Sequence, residues 1–139
     1  FLTGGKQLRE GDLAKGYFCA PTISDEEPIT HRLWKHEMFL PITMITTVDS
    51  LDDAMKIAND VDYGLTAGFY GNKKEAEWFF DKIQAGVTYA NRPQGATTGA
   101  WPGFQPFGGW KGSGSTGKNA GGHYYLPLYM HEQIHTIIE

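Results

Sequence analysis

Apolar residues recur with two periods in the first part of the chain, as far as Ala90. Runs rich in apolar and β-branched residues predict four strands, at residues 16–23, 42–48, 65–70 and 87–90. After the second and third runs, apolar residues spaced three and four positions apart predict two helices. Strands that alternate with helices through short connections predict an α/β fold, a layer of parallel strands joined by crossover helices.

Polar residues indicate where both helices begin. Ser50 can cap the first helix and Asn72 the second, because their side chains can accept from free backbone N–H groups. The first apolar face comprises Leu51, Ala54, Met55 and Ala58. The second comprises Ala76, Phe79, Phe80 and Ile83. Gly86 is predicted to end the second helix as its C′ residue.

The last third of the chain has a different pattern. Ten of the 18 glycines fall between Gly95 and Gly122, and residues 91–122 show neither helical nor strand periodicity. Such a long loop inside a compact domain is usually functional. Residues 135–138 are apolar again. They predict a terminal strand that either completes the core or pairs with a neighbouring subunit.

Composition excludes some partners and suggests a compartment. With 12 Lys and Arg against 16 Asp and Glu, the net charge is -4, so we expect no nucleic-acid partner. No apolar run approaches the ~20 residues of a membrane span, so we expect no membrane partner. The single cysteine, Cys19, cannot form an internal disulfide, and this suits the cytoplasm or, in a eukaryote, the mitochondrial matrix. Because the chain opens on Phe1 and not Met, we expect a piece of a longer protein.

Three short motifs match binding patterns by spacing alone. Residues 112–117 spell G-x-G-x-x-G, but no strand precedes them. The same stretch nearly spells a phosphate loop, but Asn119 stands where a magnesium-binding Ser or Thr is needed. His131 and His135 spell H-E-x-x-H, which leaves a zinc hydrolase as an alternative. A third ligand is missing there, and the β-branched end favours a strand, so we predict no metal.

Five segments resemble the aldehyde dehydrogenase family. Residues 16–23 resemble its G-Y-F-x-x-P-T strand, and residues 36–41 (HEMFLP) resemble its E-E-I-F-G-P signature. Residues 59–68 are similar to A-N-x-x-x-Y-G-L-x-A-G, and residues 86–91 to G-x-x-x-x-N. Residues 105–114 resemble the loop P-F-G-G-x-K-x-S-G. The matches follow the family's order and cover nearly the whole chain.

This resemblance implies a place within a longer enzyme. Residues 1–139 would be the C-terminal portion of the catalytic domain of an NAD- or NADP-dependent enzyme. Residues from about 129 to 139 would form the strand through which homo-oligomers assemble. The nucleophilic cysteine, the general base and the cofactor domain would lie upstream, so no catalytic residue is assigned here. Cys19 does not match the nucleophile motif, and we expect the isolated chain to be inactive.

The glycine-rich loop narrows the resemblance within the family. Residues 91–100 and 105–109 are similar to the 1-pyrroline-5-carboxylate dehydrogenases. Those enzymes oxidise the aldehyde L-glutamate γ-semialdehyde to glutamate in proline degradation. The alternatives are another aldehyde or semialdehyde dehydrogenase and a non-catalytic module for oligomerisation or interaction.

The resemblance also implies site residues. Glu37 would accept hydrogen bonds from the nicotinamide ribose hydroxyls, and Phe39 would pack beside the nicotinamide. Backbone N–H groups of Gly99 and Ala100 would bind the substrate's carboxylate, and Phe107 would line the aldehyde pocket. Without the resemblance, Glu37 would be interpreted as a solvated charge, Phe39 as a core aromatic residue and Phe107 as a loop anchor.

The chain departs from the family pattern at two places. Leu40 stands where a glycine is usual, and His36 replaces the first glutamate of the signature. Residues 101–104 are bulkier than the usual small residues after the Gly-Ala pair. The first departure lies in the predicted cofactor segment, and the second concerns which aldehyde fits.

Overall fold

The computed structural model describes residues 1–25, 27–93, 100–101 and 103–139. The chain forms two compact units, Phe1–Ala54 and Met55–Glu139. No helix in these described ranges has the length and apolar character needed to cross a membrane.

The first unit contains one parallel strand pair. β1 (Thr22–Ser24) pairs with β2 (Ile42–Met44), with Thr22 opposite Ile42. Short 3₁₀ helices cover Gly11–Lys15 and Arg32–Trp34. Both strands are shorter than predicted. The described segment before β1 makes isolated antiparallel bridges, Thr3 with Ile23 and Gln7 with Cys19, and Cys19 is half-buried.

The second unit is built around a strand–helix–strand unit. β4 (Thr66–Phe69) and β5 (Val87–Ala90) are parallel, and α2 (Lys73–Lys82) connects them. This pair confirms the predicted parallel strands with a crossover helix. The preceding helix, α1 (Leu51–Asn59), spans the boundary between the two units in the sequence.

The strands form three two-stranded sheets among the described residues, and not one continuous layer. The third sheet is antiparallel and pairs β3 (Tyr63–Gly64) with β6 (Trp110–Lys111). Sequence analysis predicted no strand in residues 91–122, and this prediction was wrong at β6. Two-residue strands carry too short a pattern to be recognised from sequence.

The core of the second unit is small and lies between the two helices and β4. Its buried residues are Met55, Phe79, Ile83 and Ala85. Phe69 packs against it, with its ring centroid 5.2 Å from that of Phe79. Burial of each of the larger side chains, Met55, Phe79 and Ile83, stabilises the fold by about 1.5–3 kcal/mol. The core thus fixes α2 on the sheet formed by β4 and β5.

The predicted apolar faces were correct in part. Met55, Ala76, Phe79 and Ile83 are buried as predicted. Three other predicted members are exposed: Leu51, Ala58 and Phe80. Burial depends on which neighbours cover a helix, and the spacing of apolar residues does not specify those neighbours.

Both predicted helix starts are confirmed. The Ser50 hydroxyl accepts from the Asp53 N–H at 3.1 Å. Asn72 forms a capping box, in which its Oδ1 accepts from the Glu75 N–H at 3.0 Å and Glu75 accepts from the Asn72 N–H at 2.9 Å.

The predicted C′ position of Gly86 was wrong. α2 ends at Lys82, and the next residue, Ile83, is already extended with φ -72° and ψ 135°. Gly86 does not adopt a positive φ and instead leads into β5.

The C-terminal tail contains a 3₁₀ helix at Leu126–Tyr129. Residues 131–139 are exposed and have neither helix nor strand, so residues 135–138 do not form a core strand in this chain. Pairing of this segment with a second subunit stays a prediction.

Candidate functional site

A cleft of about 510 Å³ lies in the second unit beside β5. Residues of β5 form one part of its wall. The rest of the described wall is supplied by Arg92, Ala100, Trp101, Gln105 and Pro106. The cleft therefore lies where β5 leads into the glycine-rich stretch. In open α/β sheets, ligands bind outside the carboxyl ends of the strands, so this is the first candidate site.

Two aromatic side chains at the rim contact the Arg92 guanidinium. The Arg92 guanidinium carbon lies 4.7 Å from the centroid of the Trp101 ring and 5.9 Å from that of Tyr89. The Trp101 N–H donates to Gln105 Oε1 at 2.8 Å, and the Gln105 N–H donates back to the Trp101 carbonyl at 2.8 Å. These contacts hold the tryptophan turn against the arginine.

Asn91 fixes the carboxyl end of β5. Its Nδ2 donates to the Gly71 carbonyl at 2.8 Å, and its Oδ1 accepts from the Gly71 N–H at 3.0 Å. Its own N–H donates to the Phe69 carbonyl at 2.8 Å. Asn91 has φ 52°, a left-handed conformation that asparagine adopts more easily than most residues. The clamp joins the β5 end to the turn before α2 and so positions Arg92.

The predicted substrate residues are only partly brought together. Ala100 is buried and lines the cleft. Gly99 lies outside the described residues. Phe107 is half-buried but is not among the described lining residues. It forms an antiparallel bridge with Ala120 through N–H···O bonds of 2.7 and 2.8 Å. Its contact with the aldehyde stays a prediction.

Sequence analysis missed Arg92, Tyr89 and Trp101 as lining residues. The available signal was their position, since Tyr89 lies in the last predicted strand and Arg92 follows its end directly. Trp101 was noticed only for its size. No local pattern indicates that Trp101 approaches Arg92, because the two lie nine positions apart in the sequence.

A second cleft, of about 420 Å³, lies in the first unit and contains the predicted cofactor residues. Glu37 and Phe39 both line it, together with residues around Trp34 and β2. Glu37 is exposed, and 92% of the Phe39 side chain is accessible. An accessible carboxylate and an accessible aromatic ring two positions apart are thus placed on one cleft. The prediction that Phe39 binds a nicotinamide is untested, but the alternative of a core aromatic residue is wrong.

The backbone at Phe39 is strained. Its φ of 50° lies in the left-handed region, which costs a residue with a Cβ about 1–2 kcal/mol. Leu40, at the position where a glycine is usual, lines the same cleft and is exposed. The strain therefore falls on Phe39, the residue before the substituted position.

The glycine-rich stretch packs against the start of β5. A Cβ built at Gly86 would overlap the Gly108 carbonyl oxygen and lie 3.0 Å from the Gly109 Cα. Only a residue without a side chain permits this approach of two backbones. Both Gly108 and Gly109 are buried. Glycine here serves close packing beside the cleft.

Lys111 connects this stretch to the end of α1. Its Nζ donates to the Asn59 carbonyl at 2.6 Å and to the Val61 carbonyl at 3.1 Å. A cation at a helix C-terminus is favoured because the last carbonyls have no partner within the helix. Sequence analysis assigned this lysine no function, and its contacts are structural.

The sequence model of the family described as "Aldehyde dehydrogenase family" matches residues 1–134. The chain belongs to the aldehyde dehydrogenase family. This match confirms the resemblance drawn from the five segments.

Relatives of this aldehyde dehydrogenase chain are similar along most of it. It is 42% identical over 130 residues to 1-pyrroline-5-carboxylate dehydrogenase 2 of Bacillus subtilis, which covers 93% of this chain and 24% of the relative. It is 38% identical over 139 residues to 1-pyrroline-5-carboxylate dehydrogenase of Geobacillus, covering 99% of this chain and 25% of that one. The chain thus spans about a quarter of the length of these relatives.

Solved structures show the same fold. A variant of the Thermus thermophilus 1-pyrroline-5-carboxylate dehydrogenase is 41% identical, with a TM-score of 0.79 over 91% of this chain and 23% of that one. A Thermus 1-pyrroline-5-carboxylate dehydrogenase with bound NAD is 41% identical, with a TM-score of 0.68 over 78% and 20%. A lactaldehyde dehydrogenase is 35% identical, with a TM-score of 0.77 over 94% and 25%.

The three short motifs do not form their usual structures in this aldehyde dehydrogenase chain. Residues 112–117 form turns and bends, and no helix follows them to meet a phosphate. His131 and His135 lie in a segment without helix, so the spacing does not bring both imidazoles to one face. The described ranges contain no group of three His, Cys, Asp or Glu side chains arranged for a metal.

Proposed function

We propose that this chain is the C-terminal part of the catalytic domain of an NAD(P)-dependent 1-pyrroline-5-carboxylate dehydrogenase. The enzyme would oxidise L-glutamate γ-semialdehyde to glutamate in proline degradation. The observation that carries the proposal is the 42% identity to such an enzyme over 93% of the chain. The cleft beside β5, with buried Ala100 in its wall, supports a ligand site in the same unit.

The substrate cleft would act by positioning the aldehyde. Backbone N–H groups at Gly99 and Ala100 would bind the carboxylate, because consecutive amides form an anion site without a charged side chain. Asn91 holds the end of β5 against the turn before α2. A fixed cleft of this kind keeps the aldehyde group at one place and one orientation, which lowers the entropic part of the barrier.

The cofactor cleft fits the nicotinamide end of NAD or NADP. The Glu37 carboxylate is exposed and can accept two donors at once, as the ribose hydroxyls require. The exposed Phe39 ring offers an apolar surface on the same cleft. The nicotinamide supplies the hydride acceptor when it is bound. Glu37 and Phe39 would fix its position, and the thiol nucleophile would come from the part of the enzyme outside this chain.

The proposal includes assembly and location. We propose a homo-oligomer formed through residues 129–139. The apolar side chains of this tail are exposed, with Ile134 at 94% and Ile138 at 92%. Exposed apolar surface of this kind marks an interaction site. We also propose a cytoplasmic enzyme, or a mitochondrial matrix enzyme in a eukaryote, because the single cysteine suits a reducing compartment.

A hybrid enzyme tests the proposed function. In this hybrid, the 139-residue chain replaces the matching quarter of the Bacillus subtilis relative, and NADH formation from glutamate γ-semialdehyde is followed by absorbance. We expect activity with the semialdehyde, and a loss of about 10-fold or more in the Glu37→Gln hybrid, since the amide lacks the negative charge and has one acceptor oxygen in place of two. We expect none from the isolated chain. A folded hybrid that oxidises lactaldehyde but not the semialdehyde would contradict the proposal that glutamate γ-semialdehyde is the substrate.

An association module is the second candidate, and the exposed tail is the observation that favours it. This candidate predicts that the isolated chain self-associates through residues 129–139. Light scattering on the chain and on a version truncated after Tyr129 separates the possibilities. A stable monomer with a cooperative thermal transition in both versions would rule out the module.

A further inference from the structure

Arg92 introduces a charge into the cleft beside β5. Among the described residues that line this cleft, Arg92 alone has a charged side chain. In the described part of the wall, a ligand therefore meets one positive group among neutral residues. The guanidinium is planar and carries five N–H donors and no acceptor, so it suits an anion.

Aromatic rings hold the guanidinium in place. It lies over the Trp101 ring at 4.7 Å and over the Tyr89 ring at 5.9 Å. A guanidinium stacked on aromatic faces keeps its in-plane N–H groups available, and it loses less freedom when it binds a ligand. The main chain is anchored as well, since the Tyr70 hydroxyl donates to the Arg92 carbonyl at 2.8 Å.

The guanidinium also has no carboxylate partner in the part of the chain that the structure describes. Ion pairs among the described residues include Lys15 with Asp12 and Lys73 with Glu77, and neither involves Arg92. An arginine beside a cleft, with an anchored backbone, a stacked side chain and no carboxylate partner among the described residues, is arranged for bidentate binding of a carboxylate.

We propose that Arg92 is a specificity-determining residue, whose guanidinium binds the substrate's carboxylate and so selects acidic aldehydes over neutral ones. This inference rests on the proposed function, because it adds a cation to the cleft where backbone N–H groups are expected to bind the same carboxylate. Backbone amides carry no net charge, so they distinguish a carboxylate from a neutral group less strongly than an arginine does.

The first test measures selectivity in the hybrid enzyme. The kcat/KM values for glutamate γ-semialdehyde and for a neutral aliphatic aldehyde are compared in the hybrid and in its Arg92→Gln and Arg92→Lys variants. We expect Arg92→Gln to lower kcat/KM for the semialdehyde by about 10- to 100-fold and to leave the neutral aldehyde within about 2-fold. Arg92→Lys should retain part of the selectivity, because it keeps the charge but loses the planar fork.

A matched control separates charge in the cleft from cation–π packing in general. Lys118 lies over the Tyr124 ring at 4.1 Å and does not line the cleft. We expect Lys118→Gln to leave both kcat/KM values within about 2-fold. Two results would overturn the inference. If Arg92→Gln lowers kcat/KM equally for both aldehydes, Arg92 has a structural role, and if it lowers kcat/KM for neither aldehyde, Arg92 has no role in the reaction.

The second test does not depend on turnover. Calorimetry compares binding of glutarate with binding of glutaramide, its neutral analogue, to the hybrid and to its Arg92→Gln variant. We expect Arg92→Gln to weaken glutarate at least 10-fold and to leave glutaramide unchanged. Equal binding of glutarate to both proteins would overturn the inference and leave the proposed function intact. Binding that depends on Arg92 in a hybrid without semialdehyde activity would support the inference and contradict the proposed function.

Discussion

Replacing Gly86 with alanine would place a methyl group between the start of β5 and the glycine-rich stretch. The built Cβ lies 2.9 Å from the Gly108 carbonyl carbon and 3.0 Å from the Gly109 Cα, and it overlaps the Gly108 oxygen. All three atoms belong to the backbone, so no side chain can rotate away. Carbon atoms pack best at about 3.5–4.0 Å, so the two segments would have to separate by at least about 0.5 Å.

We expect this separation to cost stability and to distort the cleft. Overpacking of a well-packed site costs about 1–3 kcal/mol, and two buried backbone segments give the upper half of that range. The Gly86 N–H donates to the Gly64 carbonyl at 2.9 Å, and the Val87 N–H to the Leu65 carbonyl at 3.0 Å. Both hydrogen bonds would lengthen, so the free energy of unfolding should fall by about 2–3 kcal/mol.

Denaturant unfolding followed by tryptophan fluorescence measures this change, with Gly103→Ala as the matched control. A Cβ at Gly103 meets no described residue within 4 Å, and the φ of Gly103 is not positive, so the same substitution should change stability by less than about 0.5 kcal/mol. Hydrogen exchange at Val87 should increase in Gly86→Ala alone. Equal free energies of unfolding for the two variants would refute the argument that Gly86 is required for close packing.

Four further substitutions, at three positions, test other contacts of the fold. Lys111→Met removes the two hydrogen bonds to the carbonyls at the end of α1 and should cost about 1–2 kcal/mol in denaturant unfolding. Lys111→Gly should cost less stability than Lys111→Met, because the φ of 52° at this position suits glycine. A greater loss of stability with glycine would contradict the expectation that the backbone at residue 111 is strained. Asn72→Ala should cost about 1 kcal/mol and raise hydrogen exchange in the first turn of α2, whereas unchanged exchange would argue against the capping box. Tyr125→Phe should lower the pKa of Tyr129, because a hydrogen bond to Tyr125 and then charge repulsion from it hold that pKa above its ordinary value of 10.0. An NMR pH titration of the Tyr129 ring measures the shift, and an unchanged midpoint would contradict the pairing.

Local features of the sequence predicted the helix starts and the parallel pair of β4 and β5. The Asn72 cap and the β-branched runs act within a few residues, so a short window of sequence contains the whole interaction. Strand lengths were less predictable. The segment at residues 16–23 has strand-like composition, but only its last two residues belong to β1, because pairing needs a partner at the same register.

Candidate site residues could be named from the sequence where they belong to a family motif. Glu37 and Phe39 were identified from the resemblance alone, and the structure places both on one cleft. Ala100 was identified in the same way and lines the other cleft. Phe107 was expected beside it, but its backbone pairs with Ala120 and its side chain is not among the described lining residues. A motif specifies which residues occur together, but not which of them share a surface.

By itself, the sequence determined the α/β class, the helix starts marked by N-caps and the family to which the chain belongs. Only the tertiary structure decided that Arg92 lies over Trp101, that Gly86 meets the Gly108 backbone and that Lys111 binds the end of α1. The physical reason is distance along the chain. Caps and periodicity act within one or two turns, whereas Lys111 and the carbonyl it binds are 52 residues apart, and such a contact depends on the packing of everything between them.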